Sequence, residues 1–377
     1  MNTQHLFYLN PEVIFLNNAS FGACPKPVME EYRKWQIELE KQPVEFLGRR
    51  KEELLLDARK KLANFLNCAP DELVYVTNAT TALNIVAYSI DLQKNDEILS
   101  TDLEYGAMDR MWEIICKRQG AIYRQVRTKL PLKPEIFVNN FIENINSKTK
   151  AVFLSHITSS TALMLPVKKI IDYAKKKNII TIIDGAHVPG QLPLNLNKLD
   201  ADFYTGNCHK WLFAPKGAAF FYARKEKQKL LKPFLISWGR KEFISSSEFI
   251  DEYEYQGTRD LAPFLSVPAG IEFNKKYLTQ SAKTEIKKLL EYAQNRFTNI
   301  FDTPPITETI YDNMQMYAHP LPKHIDGLKL KKKLYDKYKI ELPVSIQNNV
   351  QYMRISLQIF NKKNDLNVLF EKIKMLI

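Results

Sequence analysis

The sequence predicts an α/β fold built on a mostly parallel β-sheet with helices on both faces. From about Leu73 to Ala223, short apolar runs alternate with amphipathic stretches. This alternation is typical of parallel strands joined by helical crossovers. The chain has 377 residues, which is long enough for two domains. Its last hundred or so residues combine long helices with short strands, which predicts a second, smaller α+β domain.

The predicted elements follow one another in the order that such a sheet requires. Strands are predicted at Leu73–Val76, Glu97–Thr101, Ile122–Val126, Ala151–Ser155, Ile179–Ile183, Phe203–Thr205, Ala218–Ala223 and Tyr352–Leu357. Helices are predicted at Thr80–Ile90, Ala107–Arg118, Val167–Lys177, Ala282–Phe297 and Leu328–Tyr338. We expect a large domain over residues 21–262, and a small domain formed by residues 263–377 with the N-terminal segment 1–20.

The composition is that of an ordinary globular protein, with 45% hydrophobic and 25% charged residues. The net charge of +12 favours anionic ligands, but the lysines lie in short dispersed groups. Such groups are typical of solvated helix faces, so we expect no nucleic-acid partner. The sequence starts without a signal-peptide pattern, and no apolar run approaches the roughly 20 residues of a membrane span. We therefore expect a cytoplasmic protein with no membrane partner.

The four cysteines show no paired spacing and no CxxC motif. In a cytoplasmic chain this pattern predicts reduced thiols rather than disulfides or zinc ligands.

Polar residues follow one predicted strand at Asn78–Thr81. Asn and Thr at this place are typical of a helix N-cap. A helix N-terminus with hydroxyl groups is equally suited to bind a phosphate. The chain contains no GxG pair, so neither a dinucleotide fingerprint nor a Walker loop is present.

Two further loops carry an acid and a lysine. Asp184 follows an apolar strand, and a buried carboxylate there needs a partner such as a protonated pyridine nitrogen, unless it caps a helix. Lys210 stands between His209 and Trp211, without charged neighbours. A desolvated lysine has a lowered pKa and attacks aldehydes. Together, Asp184 and Lys210 fit the two ends of a pyridoxal ring.

With these loops, the chain resembles the class V aminotransferase family of fold-type-I pyridoxal-5′-phosphate enzymes. Within that family it is most similar to the isopenicillin N epimerase-like members. The matching segments keep the family's order and span the chain nearly end to end: Phe15–Gly22, Pro43–Leu47, Thr77–Thr81, Glu104–Ala107, Ser155–Ser159, Asp184–His187, Thr205–Trp211, Gln256–Asp260 and Met353–Ser356. The resemblance implies a large domain with a seven-stranded-type, mostly parallel sheet and a smaller α+β C-terminal domain.

The resemblance also implies roles around the cofactor ring. Lys210 would form the Schiff base and move the Cα proton. Asp184 would keep the pyridine nitrogen protonated, and Tyr105 would stack on the ring face. His187 would donate a hydrogen bond to the phenolic oxygen. The phosphate would be bound by Thr80 together with the backbones of Ala79 and Thr81. Two residues of the lysine loop, Asn207 and His209, would assist.

Other residues are implied for the second subunit and the substrate. Gly257 and Thr258 match a segment that completes the phosphate site of the partner, which implies a homodimer with shared sites. Arg354 would bind the substrate α-carboxylate, because a planar guanidinium holds a carboxylate through two parallel charge-assisted bonds. Asn18 would assist at the same carboxylate. Two neighbouring arginines are candidates for a distal substrate group or for surface salt bridges: Arg49 and Arg50.

A metal site is the alternative use of the polar loops. His156, His187, His209 and Asp184 show none of the spacings of familiar zinc ligands. We therefore expect no metal, and the cofactor accounts for the loops in which these residues lie.

The reaction remains open between several types. A substrate with a primary amine, an amino acid, could be epimerised, cleaved at a C–S bond or transaminated, and the fold does not choose among them. Cysteine desulfurases need a mobile Cys shortly before the carboxylate-binding Arg, and Lys323–Met353 contains none. A non-catalytic binding protein with this fold is the alternative from another class. Intact Lys210, Asp184 and Arg354 argue against it.

Overall fold

The computed structural model describes residues 3–240 and 247–377. The strands are β1 (Ile14–Phe15), β2 (Leu73–Val76), β3 (Glu97–Thr101), β4 (Ile122–Val126), β5 (Thr149–Ser155), β6 (Ile180–Asp184), β7 (Phe203–Asn207), β8 (Ala219–Ala223), β9 (Met316–Pro320), β10 (Ile340–Glu341), β11 (Val344–Gln347) and β12 (Val350–Ser356).

The α-helices lie between and after these strands. They are α1 (Asn18–Phe21), α2 (Lys26–Lys41), α3 (Pro43–Glu45), α4 (Lys51–Leu66), α5 (Ala79–Ser89), α6 (Gly106–Gln119), α7 (Pro134–Glu143), α8 (Val167–Lys176), α9 (Leu196–Leu199), α10 (Glu248–Glu254), α11 (Ala262–Leu265), α12 (Val267–Tyr277), α13 (Gln280–Phe301), α14 (Gly327–Tyr338) and α15 (Lys363–Leu376).

The central sheet has seven strands in the order β2-β8-β7-β6-β5-β3-β4. Its pairs are parallel except at β8, which runs antiparallel to both β2 and β7. The expected mostly parallel sheet is thus confirmed. Ser155 pairs with Asp184, and Asp184 with Thr205. The carboxyl ends of β5, β6 and β7 therefore meet at one edge of the sheet, where ligands bind in such folds.

Both faces of the central sheet are buried. Leu154 and Ile183 pack into one hydrophobic cluster, together with α8, whereas their neighbours Phe153 and Ile182 pack into the other, against α5 and α6. Side chains alternate between the faces of a strand, so an uninterrupted apolar run supplies both clusters. This burial fixes the strands rigidly beneath the loops that follow them.

The C-terminal part contains a three-stranded antiparallel sheet in the order β11-β12-β9, with α13, α14 and α15 nearby. The contacts that join the N-terminal segment to this part include two strand pairings. β1 pairs in parallel with β10, and Asn17 forms a bridge with Ser356 at the end of β12. Residues just after β1 consequently lie alongside the strand that carries Arg354. The smaller α+β unit matches the expectation, while the domain boundaries stay predictions.

Three further observations concern ligands and surroundings. The four cysteines are free thiols. Within residues 3–240 and 247–377, no His, Cys, Asp and Glu side chains gather in a group of three or more that could hold a metal ion. In the same residues, every helix is too short or too polar to cross a membrane.

Candidate active site

A cavity of about 470 Å³ opens at the carboxyl ends of β5, β6 and β7. It is bordered by most of the site residues expected from the sequence, drawn from distant parts of the chain: Ala79, Thr80, Tyr105, Asp184, His187, Asn207, His209, Lys210 and Arg354. Its lining in the described part of the chain does not include Asn18, Thr81, Gly257 or Thr258. The sheet edge therefore brings together groups that lie up to 275 positions apart in the sequence, from Ala79 to Arg354.

Lys210 and Asp184 are the central charged pair of the cavity. Burial lowers the pKa of Lys210 to about 8, although the nearby Asp184 carboxylate acts in the opposite direction. Burial also raises the pKa of Asp184, while the Ala186 N–H, 2.8 Å from Asp184 Oδ1, favours its charged form. The lysine amine is thus readily neutral and nucleophilic. The carboxylate still lacks a full set of donors.

His187 is held in one tautomer by the protein. Trp211 Nε1 donates to His187 Nδ1 at 3.4 Å, so the neutral ring carries its proton on Nε2. That nitrogen lies 3.3 Å from Lys210 Nζ. Burial, and secondarily the positive charge of Lys210, lowers the pKa of His187 well below its ordinary value. His187 consequently presents a neutral N–H donor beside the lysine amine.

The N-terminus of α5 forms one wall of the cavity. Asn78 caps the helix by accepting from the Thr81 N–H at 2.8 Å, and the Ala79 N–H donates to Asn207 Oδ1 at 2.9 Å. The two backbone groups expected to bind phosphate therefore already have acceptors within the protein. The Thr80 N–H and hydroxyl have no protein acceptor in the described chain. The Thr80 N–H, the Thr80 hydroxyl and the Asn207 side-chain amide are therefore available to bind an anion.

His209 lies on the same side of the cavity. Its Nδ1 is 3.0 Å from the Ala218 carbonyl oxygen, and a carbonyl can only accept, so Nδ1 carries a proton. Burial lowers the pKa of His209 to about 4, so the ring is neutral without a ligand and Nε2 is an acceptor. An anion close to Nε2 would favour protonation of that nitrogen.

Arg354 is a buried cation that meets no acidic partner in the part of the chain that the structure describes. Its guanidinium donates to the Ser159 carbonyl oxygen and, at 3.2 Å, to Ser20 Oγ, while Nε has no acceptor. Within residues 3–240 and 247–377 it forms no ion pair with Asp or Glu. Burial lowers its pKa to about 10, so it remains charged at neutral pH. A buried and unpaired charge is costly, and a carboxylate ligand would relieve that cost.

Asn18 has a different environment from the one expected. It is fully buried; its Oδ1 accepts from the Ala23 N–H at 3.0 Å, and its Nδ2 donates to the Lys210 carbonyl oxygen at 3.4 Å. The amide thus binds the backbone through both its oxygen and one of its two N–H groups, and Asn18 does not border the cavity as described. Its role at the substrate carboxylate stays a prediction. Ser20, two residues later, approaches Arg354 instead.

The remaining candidates lie away from this cavity. Gly257 and Thr258 border a separate small hollow beside Lys51 and Tyr255. Arg50 forms a surface salt bridge with Glu38, with Nη1 and Oε1 2.9 Å apart. This contact matches the salt-bridge alternative for that arginine. Two other candidates, Arg49 and His156, do not border the cavity as described.

Sequence reasoning gave no role to Glu104. Its buried carboxyl accepts from Thr101 Oγ1 at 2.6 Å, and from the N–H and hydroxyl of Ser155 at 2.9 and 2.6 Å. It therefore ties the end of β3 to the end of β5, directly before Tyr105. The only signal in the sequence was an acid beside an expected ring-stacking residue. Ser20 and Ser159, which contact Arg354, gave no signal because serines are common in loops.

The polar groups of the cavity fit pyridoxal phosphate. An amine with a lowered pKa, a carboxylate that lacks donors and a helix N-terminus with free donors match the aldehyde, the pyridine nitrogen and the phosphate. The unpaired Arg354 fits an additional carboxylate.

Comparison with known proteins agrees with pyridoxal phosphate as the cofactor of this cavity. The family described as aminotransferase class-V matches residues 14–369. Isopenicillin N epimerase of Amycolatopsis lactamdurans is 31% identical over 393 residues, covering 100% of this chain and 98% of that protein. L-cysteine desulfhydrase of Arabidopsis thaliana is 26% identical, covering 96% of this chain and 87% of that protein.

Solved structures share the fold. The complex of a cystine C–S lyase with its product cysteine persulfide superimposes with a TM-score of 0.83 at 19% identity, covering 97% of this chain and 98% of that one. At this identity the likeness shows the fold alone. The family match over nearly the whole sequence goes further: the chain belongs to the class V aminotransferase family of pyridoxal-phosphate enzymes.

Proposed function

We propose that the chain acts at Cα or Cβ of an amino acid or amino-acid conjugate, as an epimerase or a C–S lyase. One observation carries the proposal. Arg354, a buried guanidinium that has no acidic partner among the described residues, borders the same cavity as Lys210 and Asp184. A ligand carboxylate bound there would orient the rest of the molecule toward the lysine amine.

Several residues would hold the cofactor. Bound pyridoxal phosphate supplies an electron sink that stabilises negative charge at the substrate Cα. Asp184 would keep the pyridine nitrogen protonated, and His187 Nε2–H would donate to the phenolic oxygen. Thr80, with the Asn207 amide, would bind the phosphate, and His209 would gain a proton at Nε2 as the dianion arrives. Tyr105, 47% exposed at the mouth of the cavity, would cover the ring face.

Lys210 would have two successive tasks. Its Nζ would hold the cofactor covalently, and once the substrate amine has replaced it, Nζ would take the proton from Cα. A pKa of about 8 suits both tasks, because about a fifth of the amine is then neutral near physiological pH, far more than for a lysine of ordinary pKa. Asp184 raises that pKa, so loss of its charge would leave the lysine a weaker base.

The choice between the two reaction types rests on the relatives. The isopenicillin N epimerase supports epimerisation, and the L-cysteine desulfhydrase supports C–S cleavage. Transamination is the alternative within the family. A persulfide-forming desulfurase is disfavoured, since Lys323–Met353 contains no cysteine to receive the sulfur.

The test is a substrate panel. The purified holoenzyme is incubated with L-amino acids and S-substituted cysteines, and keto acid, ammonia and D-isomers are measured. We expect either D-isomer, or pyruvate with ammonia, from at least one substrate, and neither product from the Lys210→Ala variant. If every amine in the panel is returned unchanged by a protein that contains cofactor, the proposed function is wrong.

A further inference from the structure

Phe21 lies at the end of a turn that is fixed to the lysine loop. Gly22, with φ of +73°, packs so closely that an added Cβ would lie 1.9 Å from the His209 carbonyl oxygen. Lys216 Nζ donates to the Gly22 carbonyl oxygen at 2.8 Å, and Asn18 bonds to the Ala23 N–H after the turn and to the Lys210 carbonyl oxygen in the lysine loop. Phe21 therefore has little freedom to move its backbone.

The same turn is fixed to the strand that carries Arg354. The Ala19 N–H donates to Ser356 Oγ at 2.9 Å, and Ser20 Oγ accepts from the Arg354 guanidinium. Phe21 is thus held between the group that would bind the substrate carboxylate and the group that would face the substrate amine. Arg354 would hold the carboxylate, and Lys210 faces the position of the amine.

The Phe21 ring has no packing role in the described chain. It is 73% exposed, borders the cavity, and takes part in no aromatic pair within residues 3–240 and 247–377. Exposing so large an apolar ring on a rigid turn contributes nothing to folding. Because ligand cavities are lined mainly by apolar and aromatic side chains, a ring at the border of this cavity is placed to contact a ligand.

The charged side chains of the cavity limit the charge that the side chain of a bound ligand can have. The basic side chains that border it in the described chain are His187, His209, Lys210 and Arg354. Each has a place in the proposed function, so no further cation remains for a second carboxylate. Ile157, which is buried, adds apolar surface to the lining.

We propose that Phe21 is a specificity-determining residue that contacts the substrate side chain and selects an uncharged, apolar group such as an S-linked alkyl or aryl group. This inference rests on the proposed function for the position of the carboxylate. Aromatic rings attract both other rings and thioether sulfur, so an aryl thioether matches the wall that Phe21 provides. A side chain with its own carboxylate would meet no further cation among the described residues that border the cavity.

Equilibrium binding of unreactive carboxylates tests this inference separately from catalysis. Propanoate, succinate and 3-(phenylthio)propanoate lack the amine and cannot react, so calorimetry on the holoenzyme measures binding alone. We expect 3-(phenylthio)propanoate to bind at least about tenfold more tightly than propanoate. Phe21→Ala should reduce that ratio to about twofold, whereas Phe21→Tyr, which keeps the ring, should preserve it. Succinate should gain nothing over propanoate.

Matched controls separate Phe21 from general effects. Ile37→Ala removes another exposed apolar side chain, 61% exposed and outside the cavity, and should leave all three affinities unchanged. An unchanged ratio in Phe21→Ala, or succinate binding more tightly than the aryl thioether, overturns the inference. If the ratio follows Phe21 but no amino acid is turned over, the proposed function fails while the binding role of Phe21 stands.

Discussion

Burial of Lys210 makes a specific pH dependence. The ordinary lysine pKa is near 10.5, and the cavity lowers it to about 8. Only the neutral amine attacks an aldehyde, so the reactive fraction rises as the pH increases through the pKa. The rate at which the apoprotein captures pyridoxal phosphate should therefore rise with a midpoint near pH 8, followed by absorbance in a stopped-flow instrument. The same measurement with free Nα-acetyllysine, whose ε-amine has an ordinary pKa, corrects for the titration of the aldehyde itself.

The Asp184→Asn variant tests the direction in which the pH midpoint of cofactor capture should shift. Because Asp184 raises the Lys210 pKa, Asp184→Asn should move the midpoint of capture to lower pH. A corrected midpoint above pH 10, or no shift in Asp184→Asn, would contradict the electrostatic account of this lysine.

Arg354 should determine substrate binding rather than cofactor binding. Arg354→Lys keeps the charge but loses the two-pronged contact, which at about 1.5–3 kcal/mol per charged hydrogen bond lowers kcat/KM roughly 10–100-fold. The visible spectrum of the resting holoenzyme should not change. Arg50→Lys, which alters an arginine of a surface salt bridge, is the matched control and should be kinetically silent. Loss of cofactor from Arg354→Lys with normal kinetics after reconstitution would refute the carboxylate role.

At the scale of single residues, the sequence indicated the candidate chemical groups better than it indicated the contacts that these groups make. Arg354 was named only through the family resemblance, whereas Lys210 and Asp184 were distinguishable because a charged residue in apolar surroundings needs a reason. Asn18 was not, since its amide serves the backbone only because Gly22 and Lys210 come together in three dimensions. The Ala79 N–H likewise binds Asn207, an acceptor that no local pattern specifies, whereas the Thr81 N–H binds Asn78, as the N-cap pattern in the sequence predicts.

At the scale of elements, the strands were predictable because each is a short segment rich in apolar, aromatic or β-branched residues. Leu73–Val76, Glu97–Thr101 and Ile122–Val126 have the expected bounds. The antiparallel direction of β8 was not predictable, because an apolar run buried on both faces looks the same in either direction. Helix ends followed local chemistry: Gly120, at φ of +71°, ends α6.

The connection between β3 and β5 gives a prediction at this scale. Glu104→Ala leaves the buried Ser155 N–H and two hydroxyls without their acceptor, which should cost about 1–3 kcal/mol of unfolding free energy. Glu104→Gln keeps an acceptor oxygen and should lose less. Urea denaturation of the holoenzyme measures both variants. Because Tyr105 directly follows, Glu104→Ala should also retain cofactor less well during dialysis. Equal stability of Glu104→Ala and wild type would show that the connection is not structural.

For the whole molecule, we propose a homodimer with shared active sites. Gly257 and Thr258 lie outside the cavity that contains Lys210, at a separate hollow. This arrangement fits a contribution to a partner's site. Thr258→Ala should weaken cofactor retention, and mixing inactive Lys210→Ala with Thr258→Ala protein should restore some activity through hybrid dimers. A monomer with full cofactor content in sedimentation experiments would exclude shared sites. The cytoplasmic location stays a prediction.

The central claim is that the cofactor is bound covalently to Lys210, and one measurement tests it most directly. Borohydride reduces a link between an aldehyde and an amine to a stable bond, after which the protein is digested and the labelled peptide is sequenced. We expect bleaching of the visible absorption band and a single label, on Lys210. Lys210→Ala should bind the cofactor without retaining a label. A label on another lysine of the wild-type protein, or no label on a protein that contains the cofactor, would contradict the account.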